Sequence, residues 1–212
     1  GIDSVNYWTH REALDNKELP ASLAIVGGGV IGMEFASFFN SLGVKVTVIE
    51  MMDEILGGMD KELSALLRAE YAKRGIKFML STKVVSLAEA SSEDGKPQVQ
   101  VNYENAEGTG SVLAGKLLMS VGRRPVTKGF GLENLELRRT ERGNICTNEQ
   151  MQASAPGVYV CGDLTGYSLL AHTAVREAEV AVHTILGKKD VMSYWAIPGV
   201  VYTLSLIHIS EP

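Results

Sequence analysis

Residues 23–50, LAIVGGGVIGMEFASFFNSLGVKVTVIE, decide the fold. The apolar run Leu23-Ala24-Ile25-Val26 leads straight into Gly27-Gly28-Gly29. From Gly32 the apolar residues recur with helical spacing as far as Gly43. Val44 to Ile49 is a second apolar run and ends on Glu50. The order is strand, glycine turn, helix, strand, acid. A G-x-G-x-x-G pattern alone is weak evidence, because glycine turns are common and most bind nothing. Here the pattern lies between a predicted strand and a predicted helix, and an acid follows Gly29 by 21 positions. That is the context a dinucleotide site requires.

The residue types suit that chemistry. Gly27 permits a tight turn off the strand, Gly29 lets the backbone approach a pyrophosphate with no Cβ in the way, and Gly32 lets the helix pack close to the sheet. Val30 and Ile31 stand between them at the helix start, where unpaired N–H groups and the positive end of the helix dipole favour an anion without a basic side chain. Glu50, at the C-terminal end of the second strand, can accept hydrogen bonds from ribose hydroxyls and would repel a 2′-phosphate. No Arg or Lys occurs between Glu50 and Lys61 to reverse that repulsion. NAD is therefore expected over NADP. Glu34 interrupts the apolar helix near the nucleotide end, and two readings stand: a complement to the helix N-terminus, or a cofactor contact.

Hydrophobic residues at 45% and charged residues at 21% give the balance of a chain able to bury a core. A net charge of -5 argues against nucleic acid as the main partner. No apolar run is long enough for a membrane span, and the N-terminus GIDSVNYWTHRE lacks the order of a secretory signal, so a cytoplasmic location is expected. The two cysteines, Cys146 and Cys161, have neither disulfide-framework nor redox spacing. Cys161 ends the apolar run Val158-Tyr159-Val160 and is expected to be a buried, inert thiol.

Outward from the opening unit, residues 1 to 22 read as a lead-in in which Trp8 and Leu14 pack. The first helix is expected to bury Met33, Phe35, Ala36, Phe38 and Phe39. Asp60 is a good N-cap for a helix with Leu63, Leu66, Leu67 and Tyr71 on its packed face, stopped by Gly75. Ile76 to Leu80 then gives a third parallel strand, completing a βαβαβ unit. After Leu80 the pattern shifts to short strands at 84–87, 98–103 and 111–114, divided by Asp94-Gly95 and Gly108-Thr109-Gly110, which predicts an antiparallel meander as the crossover. Lys116 to Val121 returns to the parallel sheet and ends at Gly122-Arg123-Arg124-Pro125. Gly122 sits where ligands approach a parallel sheet, although a plain interdomain turn uses the same residues.

Residues 126 to 157 are loop-rich. Val158 to Cys161 reads as a buried strand running into Gly162-Asp163, followed by a helix over 171–186 closed by Gly187. Asp163 can bind a polyhydroxy ligand or serve an ordinary turn. His172, in that helix's first turn, is expected to be a packed, hydrogen-bonded histidine, and His183 a surface or helix-terminal charge. No metal-ligand cluster is legible.

Five motifs in order, GGGVIGMEFASFFNSLGVKVTVIE, SVGRRP, VYVCGDLTG, LLAHTAVREA and IPGVVYT, resemble the pyridine nucleotide-disulfide oxidoreductases, and within them the dihydrolipoyl dehydrogenases. The resemblance runs over residues 5 to 203. It implies an α/β fold: a Rossmann-like NAD-binding domain at 12–124, with a parallel sheet and an antiparallel β-meander crossover, after a lead-in at 1–11. Part of a FAD-binding domain then returns at 125–195, and the start of a dimerisation domain follows at 196–212. By the same resemblance Glu34 would sit beside the nicotinamide and Gly122 would close over it. Asp163 would bind the flavin ribityl chain, and Leu170, Ala171 and His172 would lie along the flavin. Val30 stands where some relatives place a tyrosine lid. The implied chemistry passes electrons from dihydrolipoamide through FAD to NAD, in a homodimer that serves the lipoyl domains of 2-oxo acid dehydrogenase complexes.

Departures from the family pattern limit that expectation. There is no second G-x-G-x-x-G for FAD, no closely spaced redox cysteine pair and no C-terminal catalytic His and Glu. His208 does not qualify, because Leu204 to Pro212, LSLIHISEP, looks foreign to the family and resembles translated adapter sequence. The chain alone is expected to bind NAD(H) without catalysing the full reaction. Two alternatives stay open: another NAD(P)H-dependent flavin reductase or NADH oxidase of the family, and a non-catalytic nucleotide-sensing module.

Overall fold

The computed structural model describes residues 7–203, so the expectations for 1–6, His208 and the segment LSLIHISEP lie outside the described residues. The chain forms two compact units. Among the described residues, the first runs from 7 to 122 and takes back 199–203; the second is Arg123–Pro198.

The first unit begins with a helix the sequence reading missed. α1, His10–Asp15, is closed by a capping box in which Thr9 and Glu12 satisfy each other's backbone amides. Its neighbour Trp8 is buried and pairs in parallel with Leu118, while Leu14, expected to pack, is exposed. β1 (Ser22–Val26), α2 (Val30–Ser41), β2 (Lys45–Ile49), α3 (Lys61–Lys73) and β3 (Lys77–Met79) follow. The excursion β4 (Lys83–Ser91), β5 (Pro97–Asn105) and β6 (Gly108–Ala114) comes next, and β7 (Lys116–Met119) closes the unit. The parallel sheet has order β3-β2-β1-β7, and the excursion is a separate antiparallel sheet, β4-β5-β6. β1 is apolar from Leu23 to Val26 and buried throughout that run, and β2 buries Val46, Val48 and Ile49, because both faces of the parallel sheet are covered. Leu23, Ile25, Val46 and Val48 pack with α2 and Tyr71 on one side, while Ala24, Val26, Ile49 and Leu117 pack with Leu87, Val99 and Val101 of the antiparallel sheet on the other.

Helical faces differ from expectation in detail. α2 buries Met33, Ala36 and Phe39, an i, i+3, i+6 stripe, with Phe35 half-buried and Phe38 55% exposed. In α3 the buried stripe is Ser64 and Tyr71 with Leu67 half-buried, whereas Leu63 and Leu66 are exposed. Helix geometry explains this: Leu63 and Leu66 lie about 100° per residue away from the Ser64, Leu67, Tyr71 line. Asp60 does cap α3, its Oδ1 accepting from the amides of Glu62 and Leu63. Gly108 and Gly110, read as turn, instead lie in β6.

The second unit is mostly loop, with a 3-10 turn at Gly162–Leu164 and one long helix, α4 (Ala171–Ile185). The expected buried strand Val158–Cys161 is not one. Tyr159 makes only an isolated antiparallel bridge to Gln152, Val160 is buried, and Cys161 is exposed. A strand's side chains are enclosed only when other structure covers its faces, and in this segment Val160 alone is buried while Val158 and Tyr159 are half-buried.

Candidate functional site

The turn between β1 and α2 is held from four directions. Gly27 N–H donates to the Ile49 carbonyl at 2.9 Å, Gly28 N–H to Glu50 Oε2 at 2.5 Å, and Leu56 N–H to the Gly28 carbonyl at 2.8 Å. Ser120 N–H donates to the Val26 carbonyl at 2.8 Å. The glycines divide by role. Gly27 has φ +105°, and a Cβ on it would lie 2.3 Å from the Ser120 carbonyl oxygen. A Cβ on Gly32 would lie 2.2 Å from the Gly27 carbonyl oxygen. Both glycines are therefore required by the fold. Gly29 differs: its φ is −72° and a Cβ there meets nothing within 4 Å, so no protein atom demands glycine at that position. Gly29 is also the N-cap of α2, with no side chain bonded to the helix end. Val30, Ile31 and Gly32 form its first turn, whose amides have no intrahelical partner in an α-helix. Anion-binding capacity is the chemical property this arrangement offers.

Glu50 directly follows Ile49, the last residue of β2, at the strand's C-terminal end. Its Oε1 accepts from Met52 N–H at 2.7 Å, while Oε2 accepts from Gly28 N–H, so the carboxylate already holds two amides. Gly28 is a residue sequence reasoning passed over. A Cβ on it would come 3.1 Å from Glu50 Oε2 and 3.1 Å from Ile55 Cγ2, so only glycine leaves room for this contact without displacing them. The signal was present as the middle of three consecutive glycines, but a pattern that fixes only the outer two does not weigh it.

Glu34 lies in the second turn of α2, too far along to cap it. Its Oε1 accepts from Tyr202 N–H at 3.0 Å, and Ser37 Oγ lies 3.4 Å from the Thr203 carbonyl. The segment from Gly199 thus returns to α2, and Val201 packs on the first unit's core. Sequence reading had no means of seeing this pairing across 168 positions. Glu34 also edges a groove of about 520 Å³ whose walls are Phe35, Phe38, Leu42, Leu14 and Leu19; the glycine turn does not line it. Gly122 is exposed, with φ +119° and open space around its Cβ position, and is the last residue of the first unit before Arg123.

In the second unit Asp163 sits in the 3-10 turn, exposed, with Oδ2 3.6 Å from Arg123 Nη1. The turn is anchored by a residue the sequence reading did not single out. Glu177, fully buried in α4, accepts from Gly162 N–H at 2.5 Å and from Tyr194 Oη–H at 2.7 Å, with Thr165 Oγ1 at 3.3 Å. Burial and the Glu177 charge push the Tyr194 phenol well above its ordinary range. Leu170 is the N-cap of α4 and Ala171 and His172 open it. His172 is exposed rather than packed, because the first-turn position N2 faces outward while Thr173 and Glu177 take the buried face. His183, expected on the surface, is 2.7 Å from Asp190 Oδ2, and Arg176 binds the same carboxylate through two nitrogens. That arrangement, Arg176 first and His183 second, holds the Asp190 carboxyl down at about 2. No group of His, Cys, Asp and Glu among the described residues can hold a metal ion, and no helix among them is long and apolar enough to cross a membrane.

Comparisons with known proteins agree with this architecture. The chain is 40% identical over 199 residues to a dihydrolipoyl dehydrogenase of Thermus scotoductus, covering 92% of this chain and 42% of the relative. It is 38% identical over 204 residues to the mitochondrial dihydrolipoyl dehydrogenase 1 of Arabidopsis thaliana, covering 95% and 39%. The crystal structure of LpdA from Mycobacterium tuberculosis superposes with a TM-score of 0.82 at 28% identity, over 92% of this chain and 41% of that one. The flavoprotein disulfide reductase RclA of Escherichia coli superposes with a TM-score of 0.76 at 28% identity, over 86% and 40%. The chain thus spans about two fifths of the length of the relatives it matches. The family profile of pyridine nucleotide-disulphide oxidoreductases matches residues 1–178, and with it the chain belongs to that family of flavin-dependent oxidoreductases, with a mixed α/β, Rossmann-type fold.

Proposed function

We propose that the first unit is the NAD(H)-binding part of a dihydrolipoyl dehydrogenase. In this reading residues 12–124 are the NAD domain, 125–195 a returning part of a FAD domain, and 196–212 the start of a dimerisation domain carrying a foreign tail after Thr203. The observation that carries it is the division of labour among the glycines: Gly27 and Gly32 are demanded by backbone contacts, and Gly29 by none. An open glycine at the start of a helix whose first amides are unpaired fits a pyrophosphate that needs close backbone approach. The residues present therefore fit NAD(H). Gly29, Val30, Ile31 and Gly32 would hold the pyrophosphate, Glu50 the adenosine ribose, and Glu34 and Gly122 the nicotinamide end.

Asp163, Leu170, Ala171 and His172 would line a flavin, but the chain's single G-x-G-x-x-G is already given to NAD. FAD, when bound, supplies the two-electron relay between thiols and nicotinamide. The role of this chain's residues is to bind and orient the hydride acceptor. Glu50 also favours NAD over NADP, because a 2′-phosphate would meet a carboxylate; no Arg or Lys stands between Glu50 and Lys61 in sequence, Lys61 pairs with Asp53, and Arg68 is held by Glu54 in a two-nitrogen pair. The whole enzyme would oxidise dihydrolipoamide on the lipoyl domains of 2-oxo acid dehydrogenase complexes, as a cytoplasmic homodimer. The relatives at 38–40% identity favour this reading over other flavin disulfide reductases.

Isothermal titration of the 212-residue chain with NADH and NADPH tests it. NADH binding with weaker NADPH binding is expected; no NADH binding, or a preference for NADPH, overturns it. The purified chain should show no flavin absorbance.

A further inference from the structure

We propose that Glu50 is a positioning residue of the phosphate cradle in addition to its ribose contact, so that cofactor choice and phosphate binding are coupled through one carboxylate. The inference rests on the NAD(H) reading above and deepens it. Its two oxygens each hold a different backbone amide, Gly28 at 2.5 Å and Met52 at 2.7 Å. The Gly28 carbonyl is taken by Leu56 N–H. Both polar groups of Gly28 are thereby fixed, and Gly28 is the pivot from which the chain passes to Gly29 and α2. The Gly28 amide is used by the protein itself, which leaves the phosphate to the amides that follow. Met52 N–H ties the same carboxylate to the loop after β2, and that loop returns through Leu56 to the glycine turn. A charged acceptor at these two amides forms stronger bonds than a neutral one, and removing it leaves two donors unpaired. Substituting Glu50 to admit a 2′-phosphate therefore releases the cradle, and affinity falls for NADH and NADPH alike.

The test uses the full chain and E50Q, whose amide group presents one acceptor and one donor to the two N–H groups. ADP and 2′,3′-dideoxy-ADP, which lacks the ribose hydroxyls, are titrated against both proteins by calorimetry, and amide exchange is followed at Gly28, Met52 and, as a remote reference, Val101. The proposal expects E50Q to lose about fivefold or more in affinity for both nucleotides. It also expects exchange to quicken at Gly28 and Met52 and stay unchanged at Val101. Equal binding of dideoxy-ADP by the two proteins would mean that Glu50 acts through the ribose alone and would overturn it. Unchanged exchange at Gly28 and Met52 would do the same. If E50Q does not fold, E50D serves, since its shorter side chain reaches one amide and not both. If the unsubstituted chain binds neither nucleotide, the NAD(H) reading fails, and the exchange result decides the positioning role separately.

Discussion

Alanine at Gly32 sets two effects of opposite sign against each other. Ala is the better helix former, by about 1 kcal/mol in a helix interior. The new methyl, however, would lie 2.2 Å from the Gly27 carbonyl oxygen, about 1 Å inside van der Waals contact. The obstacle is backbone, so no rotamer relieves it. Either α2 moves off the turn or Gly27 changes conformation, and Gly27, at φ +105°, is itself tied by its N–H to the Ile49 carbonyl at 2.9 Å. Overpacking against a fixed wall costs about 1–3 kcal/mol or more, which exceeds the propensity gain. G32A should therefore lose about 1–2 kcal/mol net, a fall in Tm of about 2–8 °C for a chain of this size. G29A is the matched control. It has the same methyl, an ordinary φ of −72° and empty space around it. Its Tm should fall by less than that of G32A, because alanine in place of the N-cap glycine weakens the cap by about 0.5 kcal/mol but meets no clash. Its NADH affinity should drop at least tenfold if a pyrophosphate approaches that backbone. Thermal unfolding by circular dichroism and NADH titration, run on both variants, separate the two roles. A G32A protein as stable as the parent, or a G29A protein that binds NADH unchanged, would refute the division of labour among the glycines.

Three further outcomes can be checked. The Tyr71 hydroxyl is buried with no partner among the described residues, so Tyr71→Phe should leave stability unchanged or raise it by about 1 kcal/mol in urea unfolding; a loss above that would mean a partner exists. Asp190 is held at about 2 by Arg176 and His183, below its ordinary 3.8, so its contribution to stability is complete above that ordinary value and disappears as pH falls through about 2. The stability gap between the parent chain and D190N should accordingly close between about pH 4 and pH 2, whereas a gap that persists undiminished at pH 2 would exclude the ion pair as its source. Cys161 is exposed, but partial burial and the Glu177 charge raise its thiol above the usual range, so a disulfide reagent should label it slowly at pH 7 and much faster above pH 9, with Cys161→Ser removing that reaction.

Residues 23–50 were enough to specify strand, turn, helix and strand, because each element there is defined by a local period: apolar runs for strands buried on both faces, 3.6-residue spacing for the helix, glycines where φ or space demands them. Asp60 as an N-cap and the antiparallel excursion after Leu80 were legible for the same reason. Legibility failed where a residue's environment comes from a segment distant in sequence. Val158–Cys161 has the composition of a buried strand, but burial depends on neighbours its own sequence cannot supply, and Cys161 is exposed. Leu63 and Leu66 are as apolar as Leu67, yet only the rotation of α3 against the sheet decides which of them is covered. The site divides along the same line. Sequence alone picked out the candidate residues, Gly27, Gly29, Gly32, Glu34 and Glu50, since their spacing puts them in or next to one βαβ turn. Only the tertiary structure decided how they are tied: Glu50 to the amides of Gly28 and Met52, Glu34 to Tyr202, and Gly162 to the buried Glu177. Hydrogen bonds are satisfied in space without regard to chain distance, and a carboxylate's partners become known only once the backbone around it is folded.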